Sequence, residues 1–352
     1  MTALTNYQWI LSARPRGLLK PADLNLRESP VPVLREGQCL IKLRYIAMDP
    51  ATRGWIADDG GYLEPLPLGG PVLGVTVGDV IESKNPAIKA GLVVAGVAPW
   101  AKYIVVDQDQ MSSTRTGRQG VLAPMDTSTG HDLSMYLHAM GTSGGTAYYG
   151  LLEVAAMKTG DAVLVSTAGG SVGSLVGQIA RLKGASRVVG LAGGAEKCAD
   201  VVNAFGFDAC IEYKATDDLS AAIAEALPGG LDVYFDNVGG RTLEAALNNL
   251  AKGARIAVCG MISQYNASSP EAGPGNLWNL LVHTARIEGF LVSDYFGTPE
   301  CEAAYAEMSG WLHQGKMVAR VDVRDDFEHI VDVYNLLFSG GHNGRLLVRV
   351  PD

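Results

Sequence analysis

The chain has 352 residues, enough for two domains with a core each, and 47% hydrophobic content with 43 glycines suits a folded α/β protein and excludes a disordered one. Its 37 acidic against 28 basic residues give a formal net charge of −9, and with neither a Lys/Arg run nor a basic patch this excludes nucleic acid and anionic membrane surfaces as expected partners. No apolar run approaches the ~18 residues that span a bilayer, and the opening MTALTNYQWILSARPRG holds no signal-peptide core, so a cytoplasmic protein is expected.

Up to about residue 127 the chain alternates short β-type runs with Gly/Pro turns, as in QCLIKLRYIAM (38–48), VLGVTVGDVIES (72–83) and GLVVAGVAPWAKYIVV (91–106). Strands at this density predict a curved, barrel-like β domain. Near residue 130 the texture changes: HDLSMYLHAM and TAYYGLLEVAAMKTG carry helical spacing, and the second ends at Gly160.

Next comes DAVLVSTAGGSVGS (161–174), the stretch around which the rest is arranged. Ala162 to Thr167 reads as a strand buried on both faces, and SLVGQIARLKG after the glycines reads as a helix. Strand, glycine turn and helix is the context of a dinucleotide fingerprint, because glycine lets the backbone approach a pyrophosphate at the positive end of the helix. The spacing is GGxxG after Ala168 instead of GxGxxG, a weak signal on its own. A tight strand-to-helix turn in some other α/β protein reads the same way.

The βα alternation then continues. Strands are expected at 187–192, 208–213, 231–238, 254–260 and 286–292, with helices near 195–204, 217–226, 240–250 and 276–284 and a Gly/Pro/Ser-rich loop at 267–275. Six strands separated by helices predict a doubly wound parallel sheet. From about 297 the tail reads helix, strand, helix, strand, and its last strand, GRLLVRV, is expected to rejoin the N-terminal β domain. The resulting division is 1–127 with 297–352 for the β-rich domain and 128–296 for the nucleotide domain.

An acid at the tip of the second strand would bind the ribose diol of NAD. Here that strand ends Val189-Gly190-Leu191-Ala192-Gly193-Gly194, with Lys197 on the next helix and Tyr213 closing the third strand. A base near an unacidic tip suits the 2′-phosphate of NADP, although Glu196 beside Lys197 makes a solvated surface lysine an equal reading. The five cysteines are far apart with no CxxC, and the six histidines form no HxH, HExxH or Cys/His cluster, so reduced thiols and no metal are expected. GxSxG is absent, which argues against an α/β-hydrolase. Hydride transfer from a nicotinamide fits what is left.

Laid side by side, RPRG (14–17), MDPATRGW (48–55), GGTAYYGLLEV (144–154), GSVGS, GFDACIEYK (206–214), YFDNVGG (234–240), CGMISQYN (259–266), EGFLVSDY (288–295) and GHNGRLLV (341–348) resemble the zinc-independent medium-chain dehydrogenase/reductases. The nearest group is that of prostaglandin reductases (leukotriene B4 dehydrogenases) and 2-alkenal or double-bond reductases. The resemblance implies a six-stranded Rossmann sheet inserted into a mostly β, GroES-like catalytic domain, NADPH as cofactor and a homodimer paired through 286–292. It gives Gly170, Ser171, Val172 and Gly173 the pyrophosphate, and Lys197 and Tyr213 the 2′-phosphate side. Thr146, Asn237, Cys259, Gly260 and Met261 fall along the cofactor, and Phe290, Leu291, Val292 and Asn343 at the nicotinamide and its ribose. An apolar segment such as 290–292 also reads as plain core. Tyr265 is implied beside the substrate carbonyl as the catalytic group.

Zinc-dependent relatives carry a ligand cysteine and a GHE triplet where this chain shows Asp49 and GGPVLG, so no catalytic zinc is implied. One departure bears on the substrate: many members have tyrosine in DPYMRG, whereas this chain has Ala51. The implied activity is reduction of the C=C bond of an α,β-unsaturated ketone or aldehyde, with the hydride on the β-carbon and the enolate stabilised and protonated. Quinone reduction on the same fold is the rival reading, and a non-enzymatic NADPH-binding relative is another.

Overall fold

The computed structural model describes residues 4–58, 63–267, 269 and 272–352, which divide into two compact units, 1–137 with 321–352 and 138–320. In the first unit, Thr5–Leu11 (β1) and Leu24–Pro30 (β2) form an antiparallel pair. Cys39–Ala47 (β3), Leu73–Ser83 (β4), Val93–Pro99 (β5), Tyr103–Val106 (β6) and Leu122–Pro124 (β7) build the main antiparallel sheet. β-branched residues along β3 to β5 fit the pleated, buried surface: Ile41, Ile46, Val77 and Val94 are fully enclosed. Between β3 and β4, the helix Ala51–Ile56 (α1) carries Arg53, which is buried and donates from Nη2 to the carbonyls of Pro15 at 3.0 Å and Gly17 at 3.3 Å. This is the physical content of the RPRG and MDPATRGW motifs: a desolvated guanidinium holds the RPRG loop by its backbone.

The second unit starts with Thr142–Tyr149 (α2), which runs into a wider turn at Gly150–Val154, and Ala162–Ser166 (β8) follows. Next come Ser171–Leu182 (α3), Arg187–Ala192 (β9), Ala195–Asn203 (α4), Ala209–Glu212 (β10), Leu219–Ala226 (α5) and Leu231–Asp236 (β11). Gly240–Leu247 (α6), Leu250–Val258 (β12), Trp278–Val282 (α7), Arg286–Gly289 (β13) and Pro299–His313 (α8) complete it. The sheet order is β10-β9-β8-β11-β12-β13, parallel throughout, as expected from the six βα repeats. Leu164, Val189, Leu191, Tyr234 and Ile256 from four of its strands pack with Leu243 and Leu247 of α6 into one core cluster. The connection reverses between β8 and β11, so the switch point lies where the glycine turn follows β8.

Two features differ from expectation. The last strand ends at Gly289 instead of 292, because its partner among the described residues, β12, ends where Val258 pairs with Gly289. Beyond it the Phe290 ring turns against Phe235 and Tyr149, with edge-on centroid separations of 6.1 and 5.8 Å, and fills the space left by Gly150. The unit boundaries fall at 137/138 and 320/321, later than 127/128 and 296/297. The reason lies in α8, which binds the second unit: Tyr305 donates to the Gly141 carbonyl at 2.8 Å, and Glu307 accepts from Tyr148 at 2.7 Å and from Lys183 at 2.8 Å. Part of the loop expected at 267–275 lies outside the described residues.

The chain then returns to the first unit through Val321–Arg324 (β14), Ile330–Ser339 (α9) and Arg345–Arg349 (β15). β15 pairs antiparallel with β3, which is the rejoining strand the sequence implied.

Candidate active site

Four loops at the carboxyl ends of the second unit's strands carry the candidate site residues. The first is the fingerprint turn. Thr167 holds a left-handed φ of 51°, and a Cβ on Gly173 would run into the Thr167 carbonyl oxygen, so only glycine lets α3 start this close to β8. No side chain caps α3, whose first turn is Ser171, Val172 and Gly173 after Gly170. The Ser171 hydroxyl donates to Ser143 Oγ at 2.8 Å and lies 3.2 Å from the buried His138 Nδ1, which fixes the turn against the start of α2. Thr146, also on α2, bonds back to the Thr142 carbonyl at 2.8 Å. Uncapped N–H groups at the positive end of a three-turn helix form a ready anion site.

The second and third loops follow β11 and β12 and are laced to each other. Asp236 Oδ1 accepts from the Tyr234 hydroxyl at 2.8 Å and from the N–H groups of Val238 at 2.9 Å and Gly239 at 3.0 Å. Burial holds this carboxyl above the usual carboxylate range, against the pull of those two N–H groups. Asn237 donates from its backbone to Ser166 Oγ and from Nδ2 to the Ser166 carbonyl, both at 2.8 Å, which ties the loop to the end of β8. The N–H groups of Cys259 and Gly260 donate to the Asp236 carbonyl, and Ser263 Oγ donates to that of Val238. Within this lacing Tyr265 curls back: the Met261 N–H donates to its hydroxyl oxygen at 3.3 Å, and that oxygen lies 3.0 Å from where a Cβ on Gly260 would stand. Asn237, Cys259, Gly260, Met261 and Tyr265 are thus brought together.

The fourth loop, after β9, has no acid at its tip. The Lys197 side chain runs beside Gly169, 3.7 Å from its would-be Cβ, while Tyr213 and Lys214 lie at 3.3 and 3.0 Å from that of Gly193. Burial raises the Tyr213 phenol above its ordinary value. Lys214, Ser166 and Asp236 were missed in the sequence. Each stands inside a quoted stretch, GFDACIEYK, DAVLVSTAGGSVGS or YFDNVGG. Of the remaining expected residues, Phe290 is packed on Phe235 as described, Leu291 is exposed, and Val292 starts a short 3₁₀ turn. Asn343 belongs to the first unit, where its N–H donates to Asp322 Oδ2 at 3.2 Å.

Residues 7–114 match a family described as the N-terminal domain of oxidoreductase, and residues 171–310 one described as zinc-binding dehydrogenase. The chain is 36% identical to an NADPH-dependent curcumin reductase of Escherichia coli, over 98% of this chain and 97% of that protein. It is 37% identical to an NADP(+)-dependent 2-alkenal reductase of Nicotiana tabacum, over 99% and 98%. Among solved structures, CurA from Vibrio vulnificus in complex with NADPH aligns with a TM-score of 0.87 at 34% identity, over 98% of this chain and 99% of that one. The chain is a medium-chain dehydrogenase/reductase. Within that family it belongs to the group of prostaglandin, alkenal and curcumin reductases.

A catalytic zinc does not fit this medium-chain dehydrogenase/reductase. Asp49, the residue that stands for a metal ligand, is engaged by Arg345 Nη2 at 2.8 Å, and the 3%-exposed Arg345 also donates from Nε to the Leu137 carbonyl at 2.8 Å. Among the described residues no group of three His, Cys, Asp or Glu side chains is placed to hold a metal ion.

Proposed function

We propose that the chain is an NADPH-dependent reductase of the C=C bond in α,β-unsaturated ketones and aldehydes. The observation that carries this reading is Tyr265: a hydroxyl held by the Met261 N–H, on the loop past β12 beside the switch-point strands. NADPH supplies a hydride, which goes to the β-carbon of the substrate. The chain's own part is to hold cofactor and enone in register and to stabilise the oxygen on which negative charge develops. The N–H groups of Ser171, Val172 and Gly173 in the first turn of α3 take the pyrophosphate, Gly170, whose own N–H is bonded to the Thr167 carbonyl, gives it a close approach, and Lys197, Tyr213 and Lys214 take the 2′-phosphate. Asn237, Cys259, Gly260, Met261, Thr146, Phe290, Leu291 and Val292 line the rest, and Asn343 completes the set the resemblance implies. The Tyr265 hydroxyl, alone or with the nicotinamide ribose hydroxyl as a second donor, hydrogen-bonds the enolate oxygen, and the α-carbon takes the one proton the reduction needs, from Tyr265 or from water, as the carbonyl re-forms.

The test is a panel of enones, enals and quinones scored by NADPH and NADH oxidation. Turnover of enones with NADPH, and an NADPH affinity that falls toward that for NADH in Lys197→Ala, is the expected result. Activity on quinones alone overturns the C=C reading, and equal use of NADH overturns the cofactor reading. Binding of NADPH with no turnover on any of the panel marks a non-enzymatic relative.

We also infer a homodimer through β13. All four residues of this edge strand are exposed, and Trp278, Leu281 and Val282 on the preceding helix are 71%, 64% and 57% exposed. An unpaired apolar edge is a liability that a twin strand removes. In an antiparallel pairing centred on Ile287, Arg286 faces Glu288 of the partner subunit, opposite charges across the seam. Light scattering at micromolar concentration should give twice the chain mass, and the chain mass itself refutes the pairing.

A further inference from the structure

Cys198 and Cys210 stand 12 residues apart, and the α4–β10 connection folds them onto each other. Cys198 is on α4, one residue past Lys197, and Cys210 is on β10. The Cys210 thiol donates to Cys198 Sγ at 2.9 Å, and Cys198 Sγ lies 4.0 Å from the Ala192 carbonyl at the tip of β9. Both side chains are half-buried, so a small oxidant reaches the pair. A disulfide needs its sulfurs at about 2.05 Å, so closing this one from 2.9 Å moves them by less than about 1 Å.

We propose that Cys198 and Cys210 are a peroxide-responsive dithiol that closes to an intramolecular disulfide and thereby weakens the hold on NADPH. The second half rests on the NADPH reading above; the first does not. Cys198 attacks first: Cys210 is kept protonated by burial and by its neighbour's sulfur, which push its thiol up, and it points that proton at Cys198. The Cys198 thiolate takes one oxygen of hydrogen peroxide as the O–O bond breaks, giving a sulfenic acid and hydroxide, which takes up the proton the Cys198 thiol released and leaves as the first water. The Cys210 sulfur then bonds to the Cys198 sulfur, the S–O bond breaks, and hydroxide leaves with the Cys210 proton as a second water. Two thiols are oxidised by two electrons and one peroxide is reduced.

The coupling follows from the sheet order. β10 lies on the far side of β9 from β8, so drawing the start of α4 toward β10 draws Lys197 away from Gly169 of the fingerprint turn. Affinity for NADPH, whose 2′-phosphate Lys197 faces, therefore falls on oxidation, and affinity for NADH falls less.

The reduced full-length protein is treated with hydrogen peroxide, quenched with a maleimide and digested with trypsin; both thiols lie in the single peptide 198–214. The expected peptide is lighter by two hydrogens and carries no maleimide, and NADPH binds roughly fivefold or more weakly until a thiol reductant restores it. Peptide that takes two maleimides, or that gains oxygens without closing, overturns the disulfide. Closure with unchanged NADPH affinity overturns the coupling. So does an equal loss of affinity in peroxide-treated Cys210→Ser, which cannot close. Reduced protein that binds no NADPH at all refutes the cofactor reading while leaving the disulfide result to stand.

Discussion

Tyr265→Phe should lower kcat on an enone by about 10²–10⁴-fold while NADPH affinity stays within about twofold, since one general acid or oxyanion donor is worth that much. The substitution keeps the ring and removes only the hydroxyl, so packing in the turn after β12 is preserved. Its structural cost includes the bond from the Met261 N–H, a hydrogen bond of about 1 kcal/mol at the partly buried site. A loss of that size leaves the protein folded, so a fall in kcat reports chemistry instead of unfolding. The drop should appear in kcat and kcat/KM alike, because the enolate oxygen bears full charge only near the transition state. If turnover is unchanged, water or the nicotinamide ribose hydroxyl does the job alone and Tyr265 is a wall of the pocket.

Much of this was legible in the residues because the signals were local. β8 and α3 could be read from one valine-rich run and the glycines after it, and β9 was bounded correctly because Ser186 and Gly193 flank a clean apolar stretch. What was not legible depended on partners far along the chain. Nothing in 297–320 says which unit α8 joins; Tyr305 and Glu307 decide it by bonding to Gly141, Tyr148 and Lys183. Phe290 reads as strand until β12 stops and leaves no ladder to continue. Asp236 looked like one letter of a motif, yet it holds the turn that positions Asn237. Cys198 and Cys210 looked far apart because a helix and a turn separate them in sequence, and that same connection returns β10 alongside β9.

Arg345→Met should destabilise the protein by about 3 kcal/mol, the low end of what breaking a buried ion pair costs, because the surviving Asp49 carboxylate keeps some solvent. Arg345 is almost fully enclosed and serves two partners, Asp49 Oδ2 just past β3 and the carbonyl of Leu137, which ends a short 3₁₀ turn, each at 2.8 Å. The Asp49 backbone is held as well, its carbonyl accepting from the Tyr334 hydroxyl of α9 at 3.1 Å. Methionine fills most of the arginine stem's volume and leaves no large cavity, so the loss is electrostatic: one carboxylate and one carbonyl without their donor. At the roughly 2–4 °C per kcal/mol typical of larger domains, the unfolding midpoint of the first unit should fall by about 6–12 °C. Adding Asp49→Leu to Arg345→Met should recover most of that, because a buried pair replaced whole by apolar groups of similar size is near neutral. A single variant as stable as the parent would mean that the pair contributes nothing. A double variant no better than the single would mean that the loss lies at the Leu137 carbonyl and not at Asp49.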